Sequence, residues 1–182
     1  MIYKFRIISD EVDNFIREIS IDADATFLDL QNAILDACSY TKDQMTSFFI
    51  CDEDWEKKEE ITLIEMGSSA EYDNYVMDST RLSELIEEEH QKLLFVFDPM
   101  TDRCFFMELH DIEYRKDLDA AVCTRSEGNP PQQLESFDDF QASAAGLGAS
   151  DFSSEFYGDE GYNDDEFDAE GFSDLDSLSD EL

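Results

Sequence analysis

The 182-residue chain predicts a small α+β domain followed by an acidic tail, on three observations. Apolar runs of strand length come in pairs separated by polar turns, and a helical apolar period lies between two of those pairs. Past Gly128 the composition changes abruptly: residues 127–182 hold no Lys, Arg or His, yet carry seventeen Asp and Glu and eight Phe and Tyr. A segment of that charge density cannot bury enough apolar surface to offset the entropy of ordering its backbone, about 1–2 kcal/mol per residue. The chain therefore divides into an α+β domain over residues 1–126, a linker over 127–150 and a disordered, aromatic-containing acidic tail over 151–182.

The elements follow in order. Ile2, Phe5, Ile7 and Ile8, then Phe15, Ile16, Ile19 and Ile21, make two apolar runs around the polar residues 9–14, which reads as a hairpin. Over residues 26–38, Phe27, Leu30, Ile34, Ala37 and Cys38 recur at helical spacing, and Asp24 or Thr26 caps the start. Residues 45–51 and 60–66 read as strands, joined by a loop over 52–59. An irregular acidic loop spans 67–75. Ser79 or Thr80 then caps a short helix with Leu82, Leu85 and Ile86, which ends early because Glu87, Glu88 and Glu89 oppose the helix dipole. Residues 92–98 and 103–112 are the most apolar stretches and flank a turn at Pro99-Met100-Thr101-Asp102, giving a hairpin central in the sheet. Residues 113–126 show no period and are expected to wrap the domain as an extended segment. Gly128-Asn129-Pro130-Pro131-Gln132-Gln133 reads as linker. A hairpin, a helix and further strands form the opening of a β-grasp, or ubiquitin-like, mixed sheet.

Charge narrows the function. The net charge is −35, with −18 on residues 1–126 and −17 on the rest. Such a surface repels phosphate backbones and anionic membranes, and no apolar run approaches the roughly 20 residues needed to span a bilayer, so neither direct nucleic-acid binding nor membrane association is expected. The N-terminal residues lack a signal-peptide pattern, and the protein is expected to be cytoplasmic. Cys38, Cys51, Cys104 and Cys123 have no zinc-like spacing and are expected to be buried reduced thiols.

Four stretches are similar to the plasmid pRiA ORF-three-like family, also labelled as mobile-element passenger proteins. They are Tyr3-Lys4-Phe5-Arg6-Ile7; Ile16-Arg17-Glu18-Ile19-Ser20-Ile21; Thr26-Phe27-Leu28-Asp29-Leu30-Gln31-Asn32-Ala33-Ile34; and Phe95-Val96-Phe97-Asp98 with its return strand. The resemblance covers about residues 1–112 and implies a small α+β fold without implying an established activity. The chain departs from the family at Ile16, where a tryptophan is usual, and at Gln31, where the first helix usually carries a histidine. At Pro99-Met100-Thr101-Asp102-Arg103, only the preceding Asp98 keeps the family's strand-turn pattern.

No set of residues reads as catalytic, metal-binding or cofactor-binding. Asp52, Asp54 and Glu56 begin like a calcium loop, but Lys57 and Leu63 stand where glycine and glutamate are needed. Asp164, Glu166 and Asp168 fail likewise at Ala169 and Leu175. His90 and His110 have no nucleophile arranged beside them. Trp55, the sole tryptophan, either caps the core or anchors a partner. Phe152, Tyr157, Tyr162, Phe167 and Phe172 recur every five residues, a spacing that neither a helix nor a strand places on one face. With Phe156, they are read as rings kept solvated by their acids and offered to a basic protein surface, such as that of a transcription, translation or DNA-handling machine. Leu175 and Leu178 would add a helical turn on binding. The expected function is a non-enzymatic adaptor or regulator. The alternatives are a small-ligand site or enzyme near Asp98, Asp102 and His110, and a mobile-element accessory protein whose tail only maintains solubility.

Overall fold

The apolar alternation of the first residues closes β1 (Ile2–Ile8) onto β2 (Ile16–Asp22), with Ile2 opposite Asp22 and Ile8 opposite Ile16. The computed structural model describes residues 1–65 and 75–134, which lie within the unit Met1–Glu135. After the hairpin come α1 (Phe27–Cys38), β3 (Ser47–Cys51), β4 (Lys57–Thr62), β5 (Tyr75–Val76), α2 (Leu82–Leu85), β6 (Lys92–Asp98), β7 (Arg103–Glu113) and β8 (Val122–Glu127). The eight strands form one sheet in the order β5-β4-β3-β6-β7-β1-β2-β8. All neighbours are antiparallel except β4 and β5, so the sheet is mixed and the class is α+β. The β6–β7 hairpin is central, as its apolar sequence predicts.

Strand alternation sends Tyr3, Phe5 and Ile7 of β1, Leu93, Phe95 and Phe97 of β6, and Phe105, Met107 and Leu109 of β7 to one face, where all are buried. The α1 residues Phe27, Leu30, Ile34, Leu35 and Cys38 cover that face. Rings run through this layer from Phe27 to Phe48 (5.5 Å), Phe95 (4.7 Å), Phe105 (6.5 Å) and Phe15 (5.0 Å). The helix starts at a reciprocal cap: Asp29 N donates to Thr26 Oγ1 (3.2 Å) and Thr26 N donates to Asp29 Oδ2 (2.9 Å). It ends where Ser39 turns left-handed (φ 57°), its N–H reaching back to Asp36 O.

Several features differ from expectation. First, β4 begins at Lys57 and ends at Thr62, so the preceding loop is shorter than 52–59 and the strand lies ahead of 60–66. Lys57 to Glu60 are all exposed, and a charged strand near the sheet edge carries no apolar pattern to read. Second, α2 has Arg81 rather than Ser79 or Thr80 at its N-cap, with Arg81 N donating to Glu84 Oε1. The amides of Ser79 and Thr80 turn back to Val76 O, and Thr80 O accepts from Phe27 N. Third, residues 113–126 do not simply wrap the domain, because residue 113 ends β7 and residues 122–126 lie in β8, which pairs with β2. Its side chains are mostly exposed and its register shifts opposite Glu18/Ile19, which erases any periodic signal. Fourth, Cys123 is exposed and Cys104 only partly buried, whereas Cys38 and Cys51 are buried as expected. Within the stretch expected as an acidic loop, residues 67–74 lie outside the described residues, while Tyr75 opens β5.

Residues 127–134, read from sequence as the start of a linker, are held against the body. Arg17 donates to Glu127 O (2.6 Å) and Gly128 O (3.1 Å), Tyr40 Oη to Pro131 O (2.6 Å), and Arg103 Nη2 to Gln132 O (2.7 Å).

Candidate functional site

Trp55 owes its position to a tight loop. Asp52 Oδ1 accepts from the backbone amides of Asp54 and Glu56, each at 3.0 Å, and Trp55 N donates to Asp52 O at 3.2 Å. Trp55 then takes φ +65°, a left-handed conformation that is uncommon for a bulky side chain. Its indole meets Phe106 edge-on at 5.0 Å, and Lys92 Nζ lies 5.0 Å from the ring centroid. Phe106 follows the core residue Phe105 in β7 and points to the opposite side of the sheet. Trp55 thus sits on the sheet face away from α1, the face that also carries Phe49, two strands from Phe106; Lys57 Nζ stands over the Phe49 ring at 4.5 Å.

The same loop disposes of Asp52, Asp54 and Glu56 as a calcium site. Asp52 spends one oxygen on the two loop amides and the other on Lys58 Nζ (2.8 Å), and the Lys58 hydrogen bond holds its carboxyl below the usual range. Among the described residues no group of three or more His, Cys, Asp and Glu side chains could hold a metal ion.

The residues considered for a ligand site on the β6–β7 hairpin do not converge. Asp98 is buried and organises its own turn, accepting from Met100 N (3.1 Å) and Thr101 Oγ1 (2.8 Å). Asp102 Oδ1 pairs with Lys57 Nζ at 3.0 Å, and Arg103 grips both oxygens of Glu11. His110 lies seven residues farther along β7, about 23 Å at the usual rise per residue, with Arg6 Nη2 3.1 Å from its Nε2. His90 pairs separately with Glu108 at 2.7 Å. Gln31, at the family's histidine position, is buried with its Oε1 accepting from Thr46 Oγ1 (2.9 Å), a bond that ties α1 to the start of β3.

More than one groove is lined by carboxylates, and one of them bears on the helix. It runs beside α1, has a volume of about 300 Å³, and carries Asp22, Asp29, Asp36 and Asp119 above a floor that includes Ala33 and Ala121. Asp22 is held below the carboxylate range, first by the Asp24 backbone amide. Sequence reading did not find this groove, because its walls come from the end of β2, from α1 and from residues 118–121, which are far apart in sequence, and the last of these have no pattern of their own.

Sequence reading also missed the part played by Arg17. Its side chain is buried, and its guanidinium bonds four carbonyls: Ile16, Ala37, Glu127 and Gly128. Ala37 O belongs to the last turn of α1, where positive charge is favoured. The signal was an arginine in an inward-facing register of β2. The tail residues Phe152, Phe156, Tyr157, Tyr162, Phe167, Phe172, Leu175 and Leu178 lie outside the described residues.

None of the curated proteins matches the chain. Among solved structures it is similar to a protein of unknown function, MM3350, from Methanosarcina mazei Go1, at 20% identity, with a TM-score of 0.52 and coverage of 69% of this chain and 68% of that one. At that identity the likeness concerns the fold alone. The family model for plasmid pRiA4b ORF-3-like proteins matches residues 1–173, well past the 1–112 that the sequence motifs suggested and into the acidic tail, and the chain belongs to that family.

Proposed function

We propose that the protein is a non-enzymatic, cytoplasmic adaptor or regulator that binds basic protein surfaces. The observation that carries this reading is the charge distribution: −35 overall, with seventeen carboxylates and no cation over residues 127–182. The acidic groove beside α1 supports it, since carboxylates above a small apolar floor suit a cationic, partly apolar segment. In this reading residues 151–182 are disordered when free, and Phe152, Phe156, Tyr157, Tyr162, Phe167, Phe172, Leu175 and Leu178 dock after electrostatic encounter. Acid at that density would also imitate nucleic-acid phosphate in a basic groove of a transcription, translation or DNA-handling machine. Trp55 is a second anchor, held on the sheet face that α1 leaves uncovered. The hairpin β1–β2 running into α1 supports a ubiquitin-like opening of the domain.

An affinity capture of basic proteins by full-length and 1–134 chains, at about 20 and 150 mM salt, tests the proposal. Steep loss of capture with salt and with truncation is expected. Capture indifferent to both would refute it. A truncated chain that aggregates yet retains every partner would leave the tail as a solubilising appendage.

A further inference from the structure

We propose that residues 128–134 are a built-in ligand occupying a groove for extended proline-containing peptides, and that the groove binds such a segment from a partner protein when its own is displaced. The proposal uses only the folded body and stands or falls independently of the tail.

The chemistry of the contact is one-sided. Nearly every polar group the body presents is a donor, and nearly every group the segment presents is an acceptor. Arg17 donates to Gly128 O, Tyr40 Oη to Pro131 O and Arg103 Nη2 to Gln132 O, while Thr41 N (2.8 Å) and Thr41 Oγ1 (3.1 Å) both donate to Gln133 Oε1. Gln133 Nε2 returns one bond to Thr41 O (2.8 Å). This is the pattern of a groove that reads peptide carbonyls. Asn129 and Pro130 each precede a proline and are pushed to extended backbone, and both prolines fix their own φ, so the segment arrives with little conformational freedom left to lose. Pro131 is buried, and the Tyr40 ring that bonds its carbonyl packs at 5.6 Å from Phe97 and 6.1 Å from Phe105. An aromatic wall with a hydroxyl donor beside a seated proline is how proline-rich ligands are recognised between proteins.

The hold on the segment is shallow. Pro131 is its only buried residue; Gly128, Asn129, Gln132 and Leu134 are exposed. A segment retained by polar bonds and one proline ring belongs to the low-stability end of a fold. It is kept in place by its tether, which supplies an effective concentration in the millimolar range against which a free peptide must compete.

The test uses the full-length chain and a labelled peptide of residues 127–134, Glu-Gly-Asn-Pro-Pro-Gln-Gln-Leu, followed by fluorescence anisotropy. Gln133→Ala in the protein removes three bonds from the tethered segment but none from the peptide, so the peptide should bind this variant about tenfold or more tighter than wild type. Pro131→Ala in the protein, a second way of loosening the tether, should act in the same direction. Adding Tyr40→Phe to Gln133→Ala should weaken binding about fivefold or more while the unfolding midpoint stays close to that of Gln133→Ala. A peptide with alanine in place of its second proline should bind correspondingly less. Equal binding to wild type and both loosened variants, no binding at about 1 mM peptide, or indifference to Tyr40→Phe would overturn the proposal. So would dimerisation of the loosened variants without peptide uptake, which would assign the segment to exchange between copies.

Discussion

Replacing Arg17 by methionine keeps most of the side-chain volume and removes the guanidinium that joins β2, α1, β8 and Gly128. The four carbonyls it leaves are not equivalent. Glu127 and Gly128 are exposed, so water can replace the lost donors there, whereas Ala37 and Ile16 are half-buried and leave water less room to do so. Counting one or two stranded acceptors at about 1–3 kcal/mol each, together with the loss of the contact between the guanidinium and the Phe15 ring at 4.6 Å, gives about 2–4 kcal/mol. For a body of this size that corresponds to a fall of about 6–16 °C in the unfolding midpoint. Arg17→Lys should recover less than half, since a single ammonium cannot follow the planar fork to all four oxygens. Circular-dichroism melts and urea titrations of the three chains measure the effect, and amide exchange should show protection lost first in β8. An Arg17→Met chain within about 0.5 kcal/mol of wild type, or β8 amides protected as before, would refute the reasoning.

Gly128 has φ +67°, and a Cβ there would come within 2.4 Å of Asn14 O, so Gly128→Ala should lower the melting midpoint by several degrees and speed exchange at residues 127–134. At Trp55 the left-handed backbone predicts that Trp55→Gly is more stable than Trp55→Ala by about 1 kcal/mol in urea titration, because both lose the Phe106 contact but only glycine relieves the backbone. Burial pushes the Cys38 thiol up to about 12 and the Cys104 thiol up to about 11, while Cys123 is exposed; mass-resolved labelling near pH 8 should modify Cys123 first and Cys38 only on unfolding. On β1 and β7, the Lys4 hydrogen bond lowers Asp111, and Lys116 followed by Lys4 draws Glu113 down to about 2. Both carboxyls titrate lower folded than unfolded, so their contribution is present above about pH 4.5 and is lost as the pH falls towards 2. Lys4→Met should therefore melt with a shallower dependence on pH across that window than wild type.

How much could be read in advance follows from which residues face water on both sides. The helix α1 was legible because its stripe and its Thr26–Asp29 cap are local, and β6 and β7 because their inner rows are uniformly apolar. The strand β4 was found but placed too late, because Lys57 to Glu60 are all exposed, and β8 was missed, since its mostly exposed residues leave no alternation and its pairing is decided by a neighbour far away in sequence. Trp55 was picked out by residue type, but the face it occupies depends on a left-handed backbone that composition does not announce. The proline pair at 130–131 has the composition of a spacer; only the donors of Arg17, Tyr40 and Arg103, brought there by three different elements, make it part of the body. Asp98 was the one family-like residue at its turn, and its carboxylate is consumed in shaping that turn.

The seam between β1 and β7 has a consequence for synthesis. Residues 2–8 pair with residues 106–113, so the middle of the sheet joins the first part of the body to be made with one of the last. While the ribosome is still translating, the β1–β2 hairpin must wait with both long edges unsatisfied until β7, and then β8, emerges. A topology dominated by such distant partners folds slowly for its size, and the nascent N-terminal half is the stage at which this chain is most exposed to misassembly and to chaperone capture.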